Sequence, residues 1–209
     1  HKETIYEGVL KGNRKAVQDA TNAGLSEGLS AEELLNEAMI PAMGEVGRLF
    51  EANEYYVPEM LIAARAMKAG LAILRPHLVA EDVKPLGKVA VGTVKGDLHD
   101  IGKNLVGIML EGAGFEIIDL GVDVSPEVFL DAVRNQNVDI VGLSALLTTT
   151  MPSMKTTIEA FEKAGLRDQV KIIIGGAPVT QRYADEIGAD GYGRDAAAAA
   201  NLAKELMGI

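Results

Sequence analysis

The stretch that most restricts the fold is residues 88–114, KVAVGTVKGDLHDIGKNLVGIMLEGAG. Val89-Ala90-Val91 is a short apolar run that reads as a buried strand, and Leu105, Ile108, Met109 and Leu110 follow at helical spacing. Between them lies a polar loop, Gly96-Asp97-Leu98-His99-Asp100-Ile101-Gly102. A strand–loop–helix unit sets such a loop at the carboxyl end of its strand, where open α/β sheets bind ligands. The loop offers one imidazole and two carboxylates. Each has an ordinary reading as well: a lone loop histidine is commonly a surface residue, and loop aspartates commonly cap helices.

The alternation continues to the end of the chain. Strands are expected at residues 88–94, 115–120, 139–145, 170–175 and 190–192. Helices are expected from Ile101, from Ser125-Pro126-Glu127, from about Pro152, from Thr180 and from Asp195. Strands alternating with helices imply a parallel sheet, here a flavodoxin-like or Rossmann-like one of order 2-1-3-4-5 with its crevice near the first and third strands. The first eighty or so residues instead follow a helical period throughout. Gly24 reads as the stop of a helix from Asn13, and Ser30-Ala31-Glu32-Glu33 as a capping box opening the next. Pro41 should kink or restart that helix, and Pro58 suits the first turn of a last one. The result is an all-α four-helix bundle over residues 1–82, a linker at 83–87 rich in charge, Pro and Gly, and an α/β domain over 88–209.

Composition removes several classes of function. There is no Cys, which excludes disulfides, iron–sulfur clusters and thiolate nucleophiles and suits a reducing cytoplasm. A net charge of −10 spread over both halves gives no basic footprint for nucleic acid. No apolar run is long enough to cross a membrane and no signal peptide is visible, so neither nucleic acid nor membrane is an expected partner. There is also no GxGxxG, P-loop, Ser/His/Asp set or zinc spacing that would act alone.

Asp97-x-His99-x-x-Gly102 in its strand–loop–helix setting resembles the signature of the cobalamin-binding domain of corrinoid proteins and methionine synthase. The resemblance covers essentially the whole chain and is strongest over Asp97–Gly102. It implies that cobalamin, or a related corrinoid, is held through Gly96 to Gly102, with His99 as lower ligand to cobalt in place of the cofactor's own base. An imidazole suits such a metal, and a carboxylate on its other nitrogen fixes the tautomer and raises its basicity, the role implied for Asp97. Ser144, Leu146 and Thr148 match the family's lining of the pocket for the displaced nucleotide tail. Thr150 stands where the family has a serine that extends a His–Asp relay. Gly175-Gly176-Ala177 resembles its Gly-Gly turn, and Tyr192 and Asp195 are assigned to the pocket rim. Hydroxyl runs at strand ends also serve as plain turn or cap residues. In the helical half, Val46-Gly47-Arg48-Leu49-Phe50 and Glu54-Tyr55-Tyr56-Val57-Pro58-Glu59 resemble the family's cap segment. There Phe50 and Val57 would lie over the methyl-bearing face of the corrin, with Val57 where methionine synthase has a leucine; ordinary core packing is the other reading.

The function implied is that of a methyl carrier without catalysis of its own. Methylcobalamin would be its working form, shuttled between a substrate-specific methyltransferase and a second one acting on tetrahydrofolate or a thiol, with a reductive activator in support. Other readings share the motif. An adenosylcobalamin-dependent mutase subunit lacks this helical cap, and a cobalamin-sensing regulator needs an output segment. A receiver-like signalling domain wants an acid at the end of the third strand, where Ser144 stands.

Overall fold

The computed structural model describes all 209 residues, His1–Ile209. The main division of the chain into two compact units falls between Pro85 and Leu86.

The first unit is helical. It comprises α1 (Lys2–Leu10), α2 (Arg14–Ser26), a third rod, and α5 (Val57–Ala80). The third rod begins as α3 (Ala31–Leu34), widens into a π turn (Leu35–Met39) and continues as α4 (Ile40–Glu51). Ser30 and Glu33 form the expected capping box at its start. The Glu81 carboxylate adds to it, accepting from the amides of Ala31 at 3.0 Å and Glu32 at 3.2 Å. First-turn amides that a helix cannot satisfy internally are met this way. Ile5, Val9, Val17, Leu34, Met39, Met43, Val46, Met60, Met67 and Leu74 fill the interior.

One local expectation is corrected here. Gly24 does not stop α2, which runs on to Ser26 and gives way at Gly28, where φ is 93°. Gly24 is buried, and a Cβ there would come within 3.2 Å of the Leu34 side chain, so its smallness serves packing. Pro41 is the second residue of α4, so the regular helix restarts around it as expected. Proline has no N–H, and its ring crowds the carbonyl a turn earlier. The π turn opens the backbone just ahead of it, and the Ile40 amide bonds the Leu35 carbonyl.

The second unit is a five-stranded parallel sheet in the order β2-β1-β3-β4-β5, the order expected. Its elements are β1 (Lys88–Thr93), α6 (Ile101–Gly112), β2 (Glu116–Asp119), α7 (Pro126–Gln136), β3 (Ile140–Ser144), α8 (Pro152–Lys163), β4 (Lys171–Gly175), α9 (Gln181–Ile187), β5 (Gly191–Gly193) and α10 (Ala196–Met207). On one face Phe129, Met154, Ile158 and Phe161 pack with Ala90, Val141, Ile172 and Ile174. Gly92 lies under Phe129: a Cβ there would come within 2.7 Å of the ring, so β1 needs a bare backbone for α7 to seat. The register sets Thr93 beside Ser144, Ser144 beside Gly175 and Gly175 beside Gly193, one row across the carboxyl edge of the sheet.

Candidate functional site

Strand order reverses between β1 and β3, so the loops leaving these neighbours diverge and open a crevice at their carboxyl ends. Asp97, on the loop after β1, bridges it. Its side chain is fully buried, and its Oδ2 accepts from the Leu146 amide at 2.8 Å, the Leu147 amide at 3.4 Å and the Thr150 hydroxyl at 2.6 Å, all on the loop after β3. Its Oδ1 accepts from the His99 amide at 3.0 Å and stands 2.8 Å from His99 Nδ1. Thr150 is buried with it, and its methyl group lies beside Gly96.

His99 is thus oriented from several sides. Asp97 claims Nδ1, so in the neutral ring that nitrogen carries the hydrogen and Nε2 keeps its lone pair. The side chain is half exposed, and Nε2 has no protein partner. The main chain is pinned as well: Thr93, fully buried at the end of β1, donates its hydroxyl to the His99 carbonyl at 2.7 Å. Burial would push the Asp97 carboxyl up. The Thr150 hydroxyl, the His99 and Leu146 amides and the His99 ring more than offset this and hold it well below the usual carboxylate range. Close by, Lys103 is buried in the first turn of α6 and pairs with Asp119 at the end of β2. Asp119 is pulled down in turn: burial opposes, but Lys103 and the Gly121 amide prevail.

The other expected residues are distributed as follows. Asp100 sits at the start of α6, its carbonyl accepting from the Asn104 amide and its carboxylate from the Asn104 side chain. Leu98, Ile101, Leu146 and Leu147 are 71%, 75%, 42% and 44% exposed, much apolar surface for the loops of one sheet edge. Gly102 is open, for a Cβ there would meet no atom within 4 Å. Ser144 ends β3, and its carbonyl accepts from the Val94 amide. Thr148 is exposed on the following loop.

Gly175 and Gly176 are constrained by the protein itself. A Cβ on Gly175 would stand 3.0 Å from the Gly193 carbonyl; one on Gly176, at φ 133°, would stand 1.9 Å from the Ala145 carbonyl. Ala177 is exposed beyond them, and Tyr192 is partly buried on β5 against the core. The Asp195 carboxylate caps α10, accepting from the Ala198 amide at 2.8 Å. In the helical unit Phe50 is half-buried and Val57 exposed.

Sequence reasoning missed Thr93 and Asp123. Asp123, after β2, accepts from the Gly96 amide at 2.7 Å and donates its own amide to the Asp97 carbonyl at 2.9 Å. The signal for Thr93 was a hydroxyl as the last residue of a buried strand; for Asp123 it was an acid just past the neighbouring strand.

No three His, Cys, Asp or Glu residues come together. A bare transition metal takes about four protein ligands. One outward imidazole with its other nitrogen fixed, amid exposed aliphatic side chains and an open glycine, fits instead a metal whose remaining positions a large apolar ring already fills.

A family model described as a B12 binding domain matches residues 87–201. A second, also described as a B12 binding domain, matches residues 2–75. A corrinoid protein of Desulfitobacterium hafniense (strain Y51) is 37% identical over 209 residues, covering 99% of this chain and 97% of its own. A dimethylamine corrinoid protein of Methanosarcina acetivorans is 39% identical over 203 residues, covering 97% and 95%. A chain from the crystal structure of the methanol:cobalamin methyltransferase complex of Methanosarcina barkeri aligns with a TM-score of 0.85 at 28% identity, covering 98% of this chain and 78% of that one. Both halves are therefore those of a B12-binding protein. The chain belongs to the corrinoid proteins, the cobalamin-binding family of methyltransferase systems.

Proposed function

We propose that this corrinoid protein is a methyl carrier, with His99 as lower ligand to cobalt. It serves a substrate-specific methyltransferase and a second methyltransferase that delivers the methyl group to tetrahydrofolate or a thiol, with a reductive activator for cofactor that has become oxidised. The observation that carries this reading is the Asp97–His99 pair, 2.8 Å apart with Nε2 left without a protein partner, in a chain of this family. When bound, the corrinoid supplies a cobalt centre able to accept a methyl group and give it up.

The chain's own part is to hold and tune that centre. Asp97 keeps the Nδ1 hydrogen in place, so the Nε2 lone pair is the one presented. Thr150 steadies the ionised Asp97 carboxylate, and His99, Asp97 and Thr150 would together serve as the relay at the lower ligand. Leu98, Ile101, Leu146 and Leu147 give apolar surface for a ring, and Gly102 leaves it room. Ser144, Thr148, Gly175, Gly176 and Ala177, with Tyr192 and Asp195 at the rim, are proposed to receive the nucleotide tail. Phe50 and Val57 are proposed as the apolar surface offered to the methyl-bearing face. A carrier that meets such partners works in the cytoplasm, where we place it.

Methylamines are the first donors to test, because a relative bears a dimethylamine name. The reduced, corrinoid-loaded protein is mixed with a methylamine and its methyltransferase, and the absorption spectrum should become that of the methylated cofactor. A second methyltransferase with tetrahydrofolate or a thiol should reverse it, and the carrier alone should do neither. Selective binding of adenosylcobalamin, with radical rearrangement alongside a large partner, would instead establish the mutase reading.

A further inference from the structure

The loop between β2 and α7 lies along the last residue of β1 and the histidine loop that follows it, and four hydrogen bonds join it to Thr93, Gly96 and Asp97. The Thr93 amide donates to the Gly121 carbonyl at 3.0 Å and the Val124 amide to the Thr93 carbonyl at 2.9 Å, which continues the parallel pairing past the end of β1. The other two both involve Asp123: Gly96 N to its Oδ1 at 2.7 Å, and its own N to the Asp97 carbonyl at 2.9 Å. One residue therefore grips the main chain on both sides of the Gly96–Asp97 peptide bond. Gly96, at φ 86°, is the most freely pivoting residue of the loop, and the Asp123 carboxylate is the acceptor for its amide. Asp123 itself takes φ 52°, a left-handed conformation that Asp and Asn tolerate better than most residues.

We propose that Asp123 is a positioning residue for the corrinoid: by closing the Gly96 pivot it holds Asp97, and through Asp97 the His99 ring, in the orientation that a lower ligand requires. This rests on the reading of His99 as that ligand. Asp97 is already bonded across the crevice by its carboxylate, but those bonds fix only the end of its side chain. Asp123 holds the Asp97 carbonyl and, through Gly96, the main chain before it, while the Val94 carbonyl accepts from the Asp97 amide at 3.1 Å. With both ends held, the direction of the His99 ring is set before any cofactor arrives, and a preorganised ligand binds without first having to be ordered.

The test compares Asp123→Gly with Asp123→Asn. Glycine accepts the positive φ and removes the side-chain acceptor, while asparagine keeps both an acceptor and the left-handed preference. In the cofactor-free protein, amide hydrogen exchange at Gly96 should speed up at least about tenfold in Asp123→Gly, as expected when a hydrogen bond to a charged group is lost. Amides of β3 and β4 should be unchanged, and Asp123→Asn should stay close to the parent. In titrations with aquocobalamin, Asp123→Gly should bind about tenfold more weakly, with a smaller fraction of the bound corrinoid showing the imidazole-ligated spectrum, and Asn should restore both. Parent-like Gly96 exchange and parent-like ligation in Asp123→Gly would overturn the proposal. An unchanged spectrum in His99→Ala would overturn the ligand reading, and that outcome is separate because the exchange measurement needs no cofactor.

Discussion

The hydroxyl of Thr150 lies 2.6 Å from Asp97 Oδ2, although 53 positions separate the two residues. That bond joins the loop after β1 to the loop after β3, and both residues are buried. The methyl group of Thr150 is accommodated beside Gly96.

Thr150→Val keeps the shape and deletes the donor. It should cost about 1.5–3 kcal/mol in urea unfolding, the range for a hydrogen bond to a charged group, while Thr150→Ser should lose much less. Equal losses in the two variants would show that the methyl group, rather than the hydroxyl, supplies the stability.

Asp97→Asn should be less stable than the parent at neutral pH by about 1–3 kcal/mol. A carboxyl whose native pKa is held low contributes stability above its unfolded value, about 3.9, and loses it as pH falls towards the native value. The gap between parent and variant should therefore narrow as pH drops below about 4 and stay constant from about 5 to 8. Denaturant midpoints at a series of pH values measure it, and a gap that widened on acidification would contradict the assignment.

His99→Ala should abolish the imidazole-ligated spectrum of bound cobalamin while leaving some corrinoid bound. Its thermal unfolding should move little, since the ring is half exposed and the other bonds of Asp97 survive. Asp97→Asn should weaken ligation less severely, in the range of 10–100-fold typical when a ligand's supporting carboxylate is altered.

The glycines divide by what needs them. Gly102→Ala meets no protein atom, so the fold should hold or gain up to about 1 kcal/mol from helix propensity, while corrinoid affinity falls. Gly176→Ala drives a Cβ into the Ala145 carbonyl at an unfavourable φ and should destabilise the protein by more than about 1 kcal/mol whether or not cofactor is present. Stability and titration curves recorded on both variants separate clearance for a ligand from clearance for the chain.

What the sequence showed were features carried by neighbours along the chain. The capping box at Ser30, the helix starts at Ser125, Thr180 and Asp195, and the strand alternation depend on spacings of a few residues, and the structure has them where expected. The Asp97–His99 contact was legible because only one residue separates the pair. Thr93 and Asp123 were not, because a strand-end threonine and a loop aspartate look ordinary until β1 and β2 are paired in space. Gly24 was misread for a related reason: its smallness answers to Leu34 on another helix, and no pattern within α2 announces that. The demand at Gly176 was equally hidden, because the carbonyl it must clear belongs to Ala145, just past the end of another strand.

The π turn at Leu35–Met39 bears on how this chain can change length. Such a turn holds one residue more than an α turn, and each helical residue turns the chain by about 100°. A one-residue deletion there would restore a regular helix and leave Ala42, Met43, Val46 and Leu49 facing the interior they fill, because the wide turn already absorbs the extra residue. In genetic terms the segment can lose one codon with less harm than the regular turns on either side, where the same loss would rotate everything after it.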